Sequence, residues 1–219
     1  MMRRIAYQCT RATGFLLLVV AGFVAAPHEA AAQDARAFIG KLGREAIEVM
    51  GPAVPPVQRA ARFRQLFDND FALPEIARFV LGPHARALPP EQQEEFLAVF
   101  RESLVQAYSK RLAEYAGEPF RVTGSRPTEG GTLVASQVVR RSGPPIAIDW
   151  QLIERDGHYQ ISDVAIDGVS MKVTQRNTFA GIIQRNGGNP EALIAVLRQE
   201  LAQPSAGAGS SIPPAAPMR

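Results

Sequence analysis

The chain has 219 residues, with 24 Lys and Arg against 21 Asp and Glu, a net charge of +3, 46% hydrophobic residues and one cysteine. A charge this small excludes nucleic acid as the main partner, because displacing counterions from phosphates needs a surplus of basic side chains. A single cysteine excludes an intramolecular disulfide and a thiolate zinc cluster.

The first element along the chain is a leader. Arg3, Arg4 and Arg11 give a positive n-region ahead of an apolar run, Phe15 to Ala26 (FLLLVVAGFVAA), and Ala30-Ala31-Ala32 follows as an A-x-A cleavage site. That order is a secretory signal peptide. The run is shorter than the ~20 residues of a membrane-spanning helix. Residues 1–32 are therefore read as a cleaved signal peptide and the mature chain as exported. Cleavage removes three arginines, Glu29 and Cys9, so the mature chain is close to neutral and has no thiol.

From Asp34 to Tyr115 the apolar spacing is helical. Phe38, Leu42, Ile47 and Met50 mark one helix, stopped by Gly51-Pro52. Val57 to Phe67 marks a second, with Phe63, Leu66 and Phe67 on one side. Pro74 to Leu81 is a third, with proline at a permitted early position and Gly82-Pro83 as its stop. A long helix starts at Pro89-Pro90-Glu91, carries Phe96, Phe100, Leu104, Tyr108 and Leu112 at i+4 spacing, and ends before Gly117.

After Glu118 the period becomes two. The segments PFRVTGS, TLVASQVVR, PIAIDWQLIER and HYQISDVAI predict four strands, with Asp156-Gly157 as a tight hairpin. Short links imply an antiparallel meander, and the helices have to cover one face of it. In the fourth strand Tyr159 and Ile161 have one parity, Val164 and Ile166 the other. A bulge at Asp163-Val164 would turn all four inward. Met171 to Arg185 and Pro190 to Leu201 return to helix. The fold class is α+β: a curved four-stranded antiparallel sheet wrapped by about six helices. Residues 33–202 form this domain. The remaining residues 203–219, rich in Pro, Ala, Gly and Ser, are read as a disordered tail.

Candidate chemistry is sparse. His84 and His158 are far apart and have no metal-ligand spacing, so no metal or cofactor is expected. Gly168-Val169-Ser170-Met171-Lys172 lacks the last glycine of a nucleophile elbow. Asp163 and Asp167 have two readings. In one, Asp167 closes the strand, Gly168 turns the chain and Ser170 caps the next helix. In the other, an aspartate is a general base, with Tyr108 or Tyr159 as acid.

Three segments together resemble the MlaC family of periplasmic phospholipid-binding proteins, also called the toluene-tolerance auxiliary family, which has a hopanoid-associated HpnM branch. They are Phe79 to Val122 (FVLG…PPEQQEEFLAVFRESLVQAYSKRLAEYAGEPFRV), Ile148 to Met171 (IDWQLIERDGHYQISDVAIDGVSM), and Thr174 to Leu201, which opens TQRNTFAGIIQRNGG. The chain departs from the family at Gly82-Pro83-His84-Ala85, where relatives often carry aromatics after the glycine. The resemblance implies an NTF2-like fold with an apolar cavity between sheet and helices, no catalysis, and phospholipid or hopanoid as ligand. It also implies a monomeric periplasmic shuttle between an outer-membrane lipoprotein complex and an inner-membrane ABC transporter with an MCE-domain subunit. The expected lipid contacts are Phe79, Val80, Phe100, Leu104 and Tyr108 from the helices. From the sheet and its exit they are Ile148, Trp150, Tyr159, Ile161, Val164 and Met171. Lys172 and Arg176 are candidates for a phosphate contact.

Overall fold

The computed structural model describes residues 27–49, 51, 54–112, 117–203 and 211–212. Most of the expected leader, Met50, Tyr115 and most of the tail lie outside these. Six α-helices are present among the described residues: α1 Pro27–Val49, α2 Pro56–Asp70, α3 Leu73–Leu81, α4 Pro90–Leu112, α5 Met171–Arg185 and α6 Glu191–Ala202. The first helix starts ahead of the expected cleavage point. Five strands follow α4: β1 Phe120–Thr128, β2 Gly131–Val138, β3 Ile146–Arg155, β4 His158–Ile166 and β5 Val169–Ser170. They form one antiparallel sheet in the order β1-β2-β3-β4-β5. No described helix is long and apolar enough to cross a membrane.

The strand count differs from expectation by β5. Asp156 and Gly157 both have positive φ, 50° and 75°, as the tight β3–β4 turn requires. Asp167 and Gly168 repeat this at 48° and 81°, so a second Asp-Gly turn folds Val169 and Ser170 back onto Ile166 and Ala165. The fourth strand is bulged, one residue earlier than expected. Gln151 pairs with Asp163 and Leu152 with Ile161, which leaves Ser162 as the extra residue. Tyr159, Ile161, Val164 and Ile166 then share the inner face. Pro127 lies inside β1, because an edge strand tolerates a missing N–H. The open edge of the first half of β4 is covered where Ala72 donates its N–H to the Ile161 carbonyl at 2.9 Å.

Burial is divided between two cores. In the helical core, Phe96 and Phe100 of α4 stack at 5.5 Å, and Phe179 of α5 meets both edge-on at 5.9 and 5.7 Å. Leu193, Ile194 and Leu197 of α6 close that core from outside. Arg64 of α2 grips Glu102 of α4 with two hydrogen bonds of 2.9 and 2.7 Å, which hold the Glu102 carboxyl below its usual range. The second core joins α1 to the sheet through Ala35, Ile39, Leu42, Val134, Leu152 and Ile161. Gly43 permits the close approach of α1 to β1: a Cβ there would lie 2.3 Å from the Phe120 ring.

The tail departs from expectation at two residues. Ser211 and Ile212 are buried, and Ile212 packs into the helical core.

Two substitutions test these cores. Phe179→Ala, at a fully buried position, should cost about 3–5 kcal/mol in urea unfolding. Gly43→Val should cost about 1–3 kcal/mol by forcing α1 away from Phe120, read as a lower urea midpoint.

Candidate functional site

Between the two cores is a cavity of about 240 Å³. Its helical walls are Leu42 and Ile47 of α1, Phe63, Leu66 and Phe67 of α2, Ile76 and Val80 of α3, and Phe100, Leu104 and Tyr108 of α4. Its sheet wall is Phe120, Val138, Ile146, Ile148, Trp150, Val164 and Ile166. Phe71, on the α2–α3 link, and Met171, at the start of α5, also line it. Four residues with ionisable side chains are part of its lining, Tyr108, Glu118, Asp163 and Lys172, together with Gln175.

The polar groups near the cavity are mostly bonded to the protein itself. The Trp150 indole N–H donates to Ser136 Oγ at 2.8 Å, and Ser136 donates to the Ile148 carbonyl at 3.1 Å. The indole's only donor is thereby satisfied within the sheet, and its ring lies at 6.4 Å from Phe120 in a T-shaped contact. Asp163 uses both oxygens at the sheet-to-helix corner. Its Oδ2 accepts from the Ser170 hydroxyl at 2.5 Å, and its Oδ1 from the N–H of Val164 and Lys172 at 2.9 and 3.2 Å. Ser170 in turn accepts from the Val173 N–H as N-cap of α5. Asp167 accepts from the Ala147 N–H at 3.1 Å. In this geometry both aspartates close the corner. Burial pushes the Tyr159 phenol up, with the charges of Glu154 and Asp34 adding to the shift, which weakens it as a proton donor at neutral pH.

Val80, Phe100, Leu104, Tyr108, Ile148, Trp150, Val164 and Met171, all expected from the sequence as contacts, line the cavity. Phe79, Tyr159 and Ile161 do not. Ile161 is fully buried in the α1–sheet core, and Tyr159 packs there against Phe38 at 6.0 Å. Both precede the bulge, on the part of β4 that faces α1 rather than the cavity. Phe79 lies under two cations, Lys172 Nζ at 4.9 Å and Arg176 Cζ at 5.1 Å from its ring centroid. Arg176 also covers Gly82, the positive-φ residue that ends α3. Its guanidinium therefore ties α5 to α3. Sequence reading passed over the walls from α1 and α2, although Leu42, Ile47, Phe63, Leu66 and Phe67 all stood on the recognised helical stripes. Among the described residues no group of three or more His, Cys, Asp or Glu could hold a metal.

The corner can be tested directly. Asp163→Ala should lower stability by about 1–2 kcal/mol in chemical denaturation, by unpairing the Ser170 hydroxyl and the first turn of α5.

With this geometry the comparisons with known proteins agree. The family model described as MlaC protein matches residues 51–199. The toluene tolerance protein ttg2D of Pseudomonas putida is 26% identical over 129 residues, 58% of this chain and 60% of that protein. The intermembrane phospholipid transport system binding protein MlaC of Haemophilus influenzae is 25% identical over 130 residues, 57% of this chain and 60% of that one. The match thus spans about 60% of the length of these relatives. A solved phospholipid-binding protein from Ralstonia solanacearum, in complex with a phospholipid, has a TM-score of 0.66 at 21% identity, covering 77% of this chain and 97% of that one. That likeness is one of fold. Matched over most of its folded length, the chain belongs to the MlaC family.

Proposed function

We propose that the protein is a periplasmic phospholipid carrier that holds acyl chains in the cavity between its two cores and catalyses no reaction. The cavity's apolar lining is the observation that carries this reading. Each methylene moved from water to an apolar site gains about 0.8 kcal/mol. A whole acyl chain kept in water therefore costs on the order of 10 kcal/mol, which makes unassisted crossing of an aqueous compartment negligibly slow. A portable apolar cavity removes most of that cost. The reading has further support in the names of the relatives, an intermembrane phospholipid transport binding protein among them, and in the phospholipid bound by the Ralstonia solanacearum protein.

The proposed route joins an outer-membrane lipoprotein complex to an inner-membrane ABC transporter with an MCE-domain subunit. Its consequence would be maintenance of outer-membrane lipid asymmetry. Residues 1–32 supply the export signal in this scheme.

Purification without detergent, followed by denaturation and lipid mass spectrometry, tests the carrier. Phospholipid at close to one per chain is expected, a hopanoid in its place would reassign the ligand, and a lipid-free protein would sink the proposal. Leu104→Trp and Ile148→Trp place added bulk against the cavity from opposite walls. Each should reduce bound lipid severalfold while the helical circular dichroism is retained. Unchanged lipid in both folded variants would remove these positions from the binding surface.

A further inference from the structure

The cavity has a closed end, and the register of the sheet locates it. Along β3 the side chains on the inner face are Ile146, Ile148, Trp150 and Leu152. The first three line the cavity and Leu152 does not. On β4 the same boundary falls between Val164, paired with Trp150, and Ile161, paired with Leu152. Leu152 and Ile161 are fully buried in the α1–sheet core. Two residues stand at this boundary: Leu66 of α2 and Phe71 pack against both cores and line the cavity. Phe71 is held there by the backbone, because it forms a parallel bridge with Ile161 and the next residue, Ala72, donates its N–H to the Ile161 carbonyl. Its ring meets Phe67 at 4.5 Å, and Phe67 meets Phe63 edge-on at 5.0 Å. The opposite end is polar. Ile146 pairs with Val138 and Val138 with Phe120. Two residues before Phe120 is Glu118, part of the lining, with its carboxyl beside the exposed Arg141.

We propose that Leu66 and Phe71 are the floor of the cavity and set the length of acyl chain that the protein selects. The proposal rests on the carrier reading above. From Ile146 to Trp150 the strand rises about 13 Å. An extended hydrocarbon with ~1.5 Å bonds advances about 1.3 Å per carbon, so about ten carbons reach from the polar end to the floor. Carbons within that depth leave water, and each improves affinity about fourfold. Carbons beyond it meet a ring pinned to β4 and a close-packed core, which do not yield without strain. Those carbons stay at the polar end, in contact with water, and add nothing. Selection is therefore by depth: affinity climbs with chain length and then levels off.

The test uses the full-length protein loaded with a fluorescent lysophosphatidylcholine and displaced by lysophosphatidylcholines from octanoyl to palmitoyl. Wild-type affinity should climb about fourfold per methylene and level off near decanoyl to dodecanoyl. Leu66→Ala lowers the floor and should move that break outward by about two carbons. Leu66→Phe raises the floor and should move it inward by about as much. Ile148→Ala removes similar bulk from a side wall, so it should weaken binding at every length and leave the break in place. An affinity that keeps climbing to palmitoyl in the wild type overturns the floor. So does a break unmoved in a Leu66 variant with native circular dichroism, or one moved equally by Ile148→Ala, which would make volume rather than depth the selector. Where neither Leu66 variant folds, Phe71→Leu takes their place, with the outward shift expected. If the wild type binds no lysophosphatidylcholine, the carrier reading fails by itself. The floor is then read with n-alkanols of the same chain lengths, and a series without a break overturns it.

Discussion

The rest of the structure depends on keeping apolar space from collapsing. The atoms lining a cavity of about 240 Å³ give up the contacts that a filled core would make. A chain that carries such a space needs walls that are stable without it. Two cores provide them: the helices pack on each other around Phe96, Phe100 and Phe179, and α1 packs on the sheet around Ile39, Leu152 and Ile161. The cavity lies where these bodies would otherwise merge. Leu66 and Phe71 pack against both cores and line the space between them.

Polarity is managed around this space by bonding it away. Trp150 offers the indole face because Ser136 takes its N–H. Asp163, which looked like a possible base, is committed to the Ser170 hydroxyl and to the N–H groups of Val164 and Lys172. Arg176, which looked like a phosphate contact, lies over Phe79 and Gly82 and braces two helices. In each case a residue with apparent chemical promise fixes the geometry of an apolar wall.

How much of this was legible in the sequence follows from the range of each signal. Helical stripes, strand alternation and Asp-Gly turns are local, so the element order and the α+β class could be read directly. The same Asp-Gly signal that placed the β3–β4 hairpin also stood at Asp167-Gly168, and β5 was missed because two residues are too short to alternate. The bulge was legible as a parity conflict, but only pairing with β3 shows that Ser162 is the extra residue. The division between core and cavity was not legible. Ile161 and Val164 are equally apolar and face the same way, and which helix lies opposite each is a tertiary fact. The docking of Ser211 and Ile212 was also hidden, because a single isoleucine in a Gly, Ala and Pro-rich segment has no period to detect.

Ser162 sets a constraint of a different kind from the residues around it. Its hydroxyl bonds only to a backbone carbonyl, that of Gln151, so its identity matters little. How the strand accommodates it matters a great deal. Leu152 faces Ile161 and Gln151 faces Asp163, so Ser162 is skipped in the pairing. Were Ser162 paired in strict alternation instead, Val164 and Ile166 would turn to solvent, and Asp163 and Ala165 would turn toward the cavity. Removing the residue altogether would leave every partner in place and Val164 and Ile166 still inward. The shift of register at one point, rather than any side chain there, keeps the cavity apolar.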